Sequence, residues 1–218
     1  MNHFVYPDAT REEMLPFLPV PLRQVLDVGC SSGAFGELVK RVHPDAVVHG
    51  VEPSADTAAI ARTRIDAVFQ GLFPEGLPPA KFVGTYDCIV FNDVIEHVLE
   101  SGPLLKAAET MLSQGGTLVA SVPNVRFAPV VLGLIMGRWD YQDQGVLDRT
   151  HLRFFTRRSL SRLFRDTGWD VVRLERLNTP GSRRAPLLAA MLRLLARDFS
   201  CPQFAVVATP SQGTNKAP

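Results

Sequence analysis

Short runs of β-branched and aliphatic residues alternate along this chain with longer stretches whose apolar positions recur every three to four residues. That is the pattern of βαβ units around a parallel sheet. Residues 24–29 (QVLDVG) are the first predicted strand and end in a glycine-rich turn. Phe35, Leu38, Val39 and Val42 then share one helical face, which predicts a helix over residues 33–42. Residues 46–52 make a second strand, and residues 54–65 a second helix with Ser54 as its N-cap. A short third strand at 67–70 precedes a loop rich in proline and glycine. Residues 86–92 (YDCIVFN) are too uniformly apolar for an edge and predict a central strand. A helix over 103–112 opens with proline and stops before Gly115-Gly116, and 116–122 forms the fifth strand. A helix at 157–167, a strand at 169–177, a Leu/Met-striped helix at 186–197 and a last strand at 204–209 complete the pattern. Seven strands in a mostly parallel sheet flanked by helices, a Rossmann-like α/β fold, is the expected architecture.

The alternation breaks between residues 123 and 156, which is longer than an ordinary connection and therefore a place to expect function. The length of 218 residues suits one domain. We divide it into a lid at 1–23, a cofactor-binding half at 24–122, a substrate-side insertion at 123–156, a sheet-closing half at 157–209 and a flexible tail at 210–218. The longest apolar stretch, 127–136, is interrupted by proline and glycine and is about half the roughly 20 residues of a spanning helix. The first twenty residues lack the basic-then-apolar order of a secretory signal, so a cytoplasmic protein is the expectation. Cys30, Cys88 and Cys201 are too far apart for a metal-ligand spacing and read as reduced, buried thiols.

The formal net charge of +1 conceals an uneven distribution. Residues 1–125 hold 8 basic against 15 acidic side chains, whereas residues 126–200 hold 14 basic, all arginine, against 7 acidic. Arginine suits bidentate contact with phosphate or carboxylate, so the second stretch fits an anionic acceptor or surface. For Arg183, Arg184, Arg193 and Arg197 the simpler reading is a solvated helix face. For Arg126, Arg138, Arg149 and Arg153, in or beside the insertion, substrate contact is expected.

The turn VLDVGCSSGAFG leads from a strand into a helix N-terminus, where backbone N–H groups are free to meet a nucleotide-like ligand. Its glycines at 29, 33 and 36 do not follow the dinucleotide spacing, which argues against NAD. The segment resembles the D-x-G-x-G-x-G turn of class I S-adenosylmethionine-dependent methyltransferases, with Asp27, Gly29 and Gly33 in register and Ser31 in place of the middle glycine. The resemblance implies a Rossmann-like methyltransferase fold and S-adenosylmethionine as cofactor. It places Asp27, Gly29, Cys30, Ser31 and Gly33 around the cofactor's amino-acid part. It also matches Glu52, followed by Pro53, to the acid that accepts hydrogen bonds from both ribose hydroxyls. A carboxylate has the acceptor-only chemistry for that task. Asn92, Asp93 and Val94 fall at the carboxyl end of a central strand, where open α/β sheets bind ligands. Tyr6 and Arg11 resemble an element found before the first strand in related enzymes, in which the arginine meets the cofactor carboxylate. Where relatives carry Gly-Asp for the adenine, this chain has Gly71-Leu72, so either backbone groups and apolar contact hold the base or the motif is shifted.

Methyl transfer to a hydroxyl needs alignment and a base. Of five histidines, His97 and His151 lie near the predicted cofactor face, and an imidazole of ordinary pKa about 6.5 suits the task. The run LDRTHLRFFT (147–156) resembles a segment of methyltransferases associated with polysaccharide, O-antigen and other glycan-modifying pathways, and more distantly of ubiquinone-type O-methyltransferases. His151 is the expected base, with His97 the alternative. Without a base role, Asp148, Arg149 and His151 would simply hold the insertion to the sheet. The expected function is O-methylation of a sugar or glycan-linked hydroxyl, with a phosphate-bearing acceptor compatible with the arginines. A quinone-like phenol is the second acceptor class, and a non-catalytic cofactor-binding module the alternative from another class. Nucleic acid is not an expected partner: no aromatic-basic ladder is present and the loop at 92–95 is not of the Asn-Pro-Pro-Tyr type. Peripheral membrane contact is the lesser reading of the arginines.

Overall fold

The computed structural model describes residues 8–77, 81–179 and 197–211. Its strands are β1 (Gln24–Val28), β2 (Val47–Glu52), β3 (Ala67–Gln70), β4 (Tyr86–Asn92), β5 (Leu112–Pro123), β6 (Trp169–Leu177) and β7 (Gln203–Pro210). They form one sheet in the order β3-β2-β1-β4-β5-β7-β6. Pairs from β3 to β5 are parallel, whereas β7 runs antiparallel to both β5 and β6. The chain order reverses beside β1, so the carboxyl ends of β1 and β4 open a crevice there. Helices α1 (Ala34–Val42), α2 (Ala55–Ala61), α3 (Ser101–Met111), α4 (Ala128–Ile135) and α5 (Arg157–Asp166) complete the fold.

The central strands are apolar because both of their faces are covered. Leu26, Ile89, Phe91, Leu118 and Ala120 face one core with Leu104, Leu105 and Phe164. Val25, Cys88, Val90 and Val119 face the other with Met14, Phe35 and Val39. Burial pushes the thiols of Cys30, Cys88 and Cys201 up, which leaves them as unreactive packing groups.

Several boundaries differ from the pattern reading. Helix α2 stops at Ala61 rather than 65, since the Thr63 hydroxyl donates to the Ile60 carbonyl and the Asp66 N–H is already given to Val48. Strand β5 begins at Leu112 rather than 116, because Leu112 already pairs with Tyr86 and the register shifts across Gly115-Gly116 before pairing resumes at Thr117. A 3-10 helix at Glu12–Phe17, which buries Met14 and Phe17, and helix α4 in the insertion were not anticipated. The predicted helix at 186–197, apart from its last residue, and the tail from 212 lie outside the described residues, as do Tyr6, Arg183, Arg184 and Arg193.

The insertion is tied down at both ends. Asn124 is fully buried, and its amide donates to the carbonyls of Asp198 (2.6 Å) and Cys201 (2.8 Å). At the other end the Leu152 and Arg153 N–H groups both donate to the Glu96 carbonyl, at 2.9 and 3.0 Å. Val130, Val146 and Leu147 give the insertion its own small core, against which Trp139 and Phe154 pack. No helix among the described residues is long and apolar enough to cross a membrane.

Candidate active site

A cavity of about 840 Å³ opens at the carboxyl ends of β1, β2 and β4 and is walled on the far side by the insertion. Asp27, Gly29, Cys30, Ser31, Glu52, Pro53, Gly71, Leu72, Asn92, Asp93, Val94, Arg11 and His151 all line it. Gly33 does not. It holds φ +79°, and a Cβ there would stand 3.0 Å from the Ala61 Cα, so this glycine lets α1 begin against α2 behind the turn. Gly29 is the glycine the cavity requires: φ is +70°, and a Cβ would meet Val94 Cγ2 at 2.8 Å.

Glu52 ends β2 and is buried, and its two oxygens are fixed from opposite sides. Oε2 accepts from the Ser31 N–H and Oε1 from the Ser54 N–H, each at 2.9 Å. Each oxygen retains a lone pair for a further donor. Asp27 accompanies it at the end of β1, where burial first and the Glu52 charge second push the Asp27 carboxyl up to about 7, with Arg11 opposing. Asn92 faces the cavity with both of its side-chain polar atoms buried and unpartnered among the described residues.

The N-terminal segment folds over this end. Asp8 accepts from Arg64 (2.7 and 3.0 Å) and from the Ser32 hydroxyl, and Ala9 lines the cavity beside Arg11. The guanidinium of Arg11 is held by Asp93, by Glu13 (2.8 Å) and by the Ser121 hydroxyl (3.0 Å). Arg11 is thus fixed at the cavity wall, with its charge already met by two carboxylates.

The polar group on the insertion side was only half legible in the sequence. Glu96, His97 and His151 converge, with the imidazole centroids 4.8 Å apart and His151 Nε2 3.9 Å from Glu96 Oε1. His151 Nδ1 donates to the Val146 carbonyl at 3.1 Å. The neutral ring therefore carries its lone pair on Nε2, toward Glu96. Burial, and Asp93 after it, push the Glu96 carboxyl well above the usual carboxylate range, and burial and His151 push His97 down. Glu96 was not singled out by the sequence. Its neighbour His97 was the available signal, since an acid beside a candidate histidine at a strand end is a site pattern in its own right. Gln144, Val146 and Gln203 also reach the cavity from distant parts of the chain.

A family model described as a methyltransferase domain matches residues 2–174. The chain belongs to the class I S-adenosylmethionine-dependent methyltransferases. The ubiquinone biosynthesis O-methyltransferase of Bradyrhizobium diazoefficiens is 29% identical to this methyltransferase over 117 residues, covering 51% of this chain and 44% of that enzyme. The trans-aconitate 2-methyltransferase of Afipia carboxidovorans is 34% identical over 104 residues, covering 47% of this chain and 39% of that enzyme. The chain thus matches under half the length of either. A solved S-adenosylmethionine-dependent methyltransferase from Archaeoglobus fulgidus shares the fold, with a TM-score of 0.65 at 17% identity, covering 92% of this chain and 91% of that one. The expected fold, family and cofactor are therefore those of this protein.

The residues present fit that cofactor. Gly29 lets the turn pack closely on Val94 where a Cβ would clash, two carboxyls at the strand ends suit a cationic ligand, and the Asn92 amide faces the cavity without a partner among the described residues.

Proposed function

We propose that this methyltransferase alkylates a hydroxyl oxygen of a small-molecule or glycan-linked acceptor, held between the cofactor and the Glu96–His97–His151 group. The observation that carries this reading is the placement of His151 on the cavity wall, with Nδ1 fixed by the Val146 carbonyl and Nε2 turned toward a buried carboxyl that is unpartnered among the described residues. When bound, S-adenosylmethionine supplies a methyl carbon made electrophilic by a positively charged sulfur. The chain supplies alignment and a means of losing the hydroxyl proton. Glu52 receives the ribose hydroxyls on its remaining lone pairs. Asp27 answers the positive charge, and Gly29, Cys30 and Ser31 let the amino-acid part approach the backbone. Pro53, Gly71 and Leu72 would hold the base, Asn92, Asp93 and Val94 would line the floor beneath the cofactor, and Arg11 would serve its carboxylate. His151, fixed through Nδ1, is the residue on which loss of the acceptor proton depends.

Apolar lining residues beside this group, Val94, Val98 and Val146, favour a ring-bearing phenolic acceptor, and the ubiquinone-pathway relative supports the same class. A sugar hydroxyl is the second reading, favoured by the LDRTHLRFFT segment that carries His151. Incubation with methyl-labelled cofactor and a panel of phenols, sugars, carboxylic acids and amines separates these readings by mass spectrometry. Label on a phenol or sugar oxygen supports the proposal. Label on carboxylates or amines alone overturns it.

Replacing Glu52 tests the cofactor end. Glu52→Ala is expected to weaken S-adenosylhomocysteine binding by about 1–3 kcal/mol, because ribose hydroxyls lose a charged acceptor. Calorimetry that gave wild-type affinity would remove Glu52 from the site.

A further inference from the structure

Glu96, His97 and His151 offer one carboxylate oxygen and two imidazole nitrogens that all lie within 4.8 Å of one another. Both oxygens of Glu96, a residue only 1% exposed, are buried and lack a hydrogen-bond partner among the described residues. A buried carboxyl that no donor meets can carry its charge at low cost only where a cation meets it. The His151 Nε2 to Glu96 Oε1 separation of 3.9 Å is too long for a hydrogen bond. Two ligands about 2.0–2.2 Å from one tetrahedral ion stand about 3.4 Å apart, so a closure of about half an ångström lets one ion bridge the pair.

The imidazoles are held as metal-binding imidazoles are held. His151 donates through Nδ1 to the Val146 carbonyl. His97 Nδ1 lies 3.3 Å from the Thr150 carbonyl and 3.2 Å from the Thr150 hydroxyl, whose own hydrogen goes to Asp148 at 2.6 Å. Donation from His97 Nδ1 follows, so each neutral ring has its lone pair on Nε2. Outer hydrogen bonds of this kind fix the tautomer and the orientation of ligating histidines. The two elements that carry the ligands are themselves joined, through the Leu152 and Arg153 N–H groups on the Glu96 carbonyl.

We propose that Glu96, His97 and His151 form a site for one divalent first-row transition-metal ion, with open positions toward the cavity that take oxygens of the methyl acceptor. This rests on the hydroxyl reading above and gives it a chemical basis. Two nitrogen ligands and one carboxylate suit zinc, iron(II), cobalt or manganese better than magnesium, which takes oxygen ligands and keeps its waters. Three protein ligands leave positions open, as catalytic sites require. A hydroxyl oxygen bound to the ion releases its proton to solvent water at neutral pH. That oxygen then forms the bond to the methyl carbon as the carbon–sulfur bond breaks and its electron pair passes to sulfur. His151 acts here as a ligand of the ion that makes the hydroxyl acidic. A pair of neighbouring oxygens, on a catechol ring or a sugar, would fill two positions and orient the one to be methylated.

The test uses the full chain, stripped with chelator and titrated with Co²⁺ under visible spectroscopy and calorimetry. One saturating equivalent is expected, with ligand-field bands and no thiolate charge-transfer band, displaced by Zn²⁺ and not by millimolar Mg²⁺. Glu96→Gln, nearly unchanged in shape, and His97→Ala should each lower Co²⁺ affinity at least tenfold while S-adenosylhomocysteine still binds, which shows that the variants are folded. Absence of saturable uptake, a thiolate band, or uptake untouched by Glu96→Gln overturns the site. The hydroxyl reading fails separately: cobalt bound at Glu96 with label going only to carboxylates or amines would support the metal site and overturn that reading.

Discussion

Replacing His151 with alanine is expected to lower methyl-transfer turnover by roughly 100-fold or more, with S-adenosylhomocysteine affinity nearly unchanged. The split between the two quantities is the informative part. His151 belongs to the insertion, whereas the cofactor turn at Gly29 and the acid Glu52 belong to the β1 and β2 ends, and no hydrogen bond or ring contact of His151 involves either. Loss of the imidazole takes away the only nitrogen lone pair directed at Glu96 from the insertion, whether that lone pair meets the proton or an ion. The hole it leaves is small and borders the open cavity, so the fold should tolerate it. Thermal melting of the variant checks this, because His151 also anchors the 146–151 turn through Val146. Turnover at the wild-type level would move the role to His97 or to no side chain at all. Equal losses in turnover and cofactor affinity would mean that the insertion collapses and that His151 is a structural residue.

How much could be seen in advance depended on whether a feature was local. Asp27, Gly29 and Glu52 were legible because a strand, its terminal turn and the next strand end sit within one βαβ unit, where spacing alone fixes geometry. At Gly33 the motif spacing does not convey a second demand: its positive φ and lack of Cβ serve the packing of α1 on Ala61, and it does not line the cavity. Arg11 lines the cavity, yet its partners Asp93 and Ser121 are far from it in the sequence, and no pattern in the first twenty residues announces them. Glu96 was passed over for a related reason. An acid after a strand is ordinary, and only the return of the chain through Leu152 and Arg153 buries it, strips it of donors and brings His151 alongside. Helix α4 escaped because VVLGLIM, read alone, is apolar on all sides. Only Val130 of that helix is buried, so its periodicity carried little signal.

Asp27→Asn should make the cofactor-free protein more stable near pH 8 and leave its stability near pH 4 unchanged. In the folded state the Asp27 carboxyl is pushed up to about 7, by burial first and by Glu52 second. In the unfolded chain it titrates near 3.9. Between those values the folded state holds a proton that the unfolded chain has released, so wild-type stability falls as pH rises through this window and levels off above it. A shift of about three units corresponds to at most about 4 kcal/mol. Asparagine cannot ionise, so the variant escapes the loss, and the gap between the two proteins should open from about pH 4 to about pH 7. Other buried acids such as Glu96 are present in both proteins and cancel in the difference. The cofactor reverses the ranking, since a cationic ligand favours the ionised carboxyl. Wild-type affinity for S-adenosylmethionine should rise with pH through the same window, while the variant binds more weakly and loses that dependence. Scanning calorimetry at pH 5 and pH 8, with and without ligand, reads all four quantities. A ligand-free variant that melts below the wild type at pH 8, or a gap that does not change with pH, would show that Asp27 is held as a stabilising carboxylate by contacts other than those described.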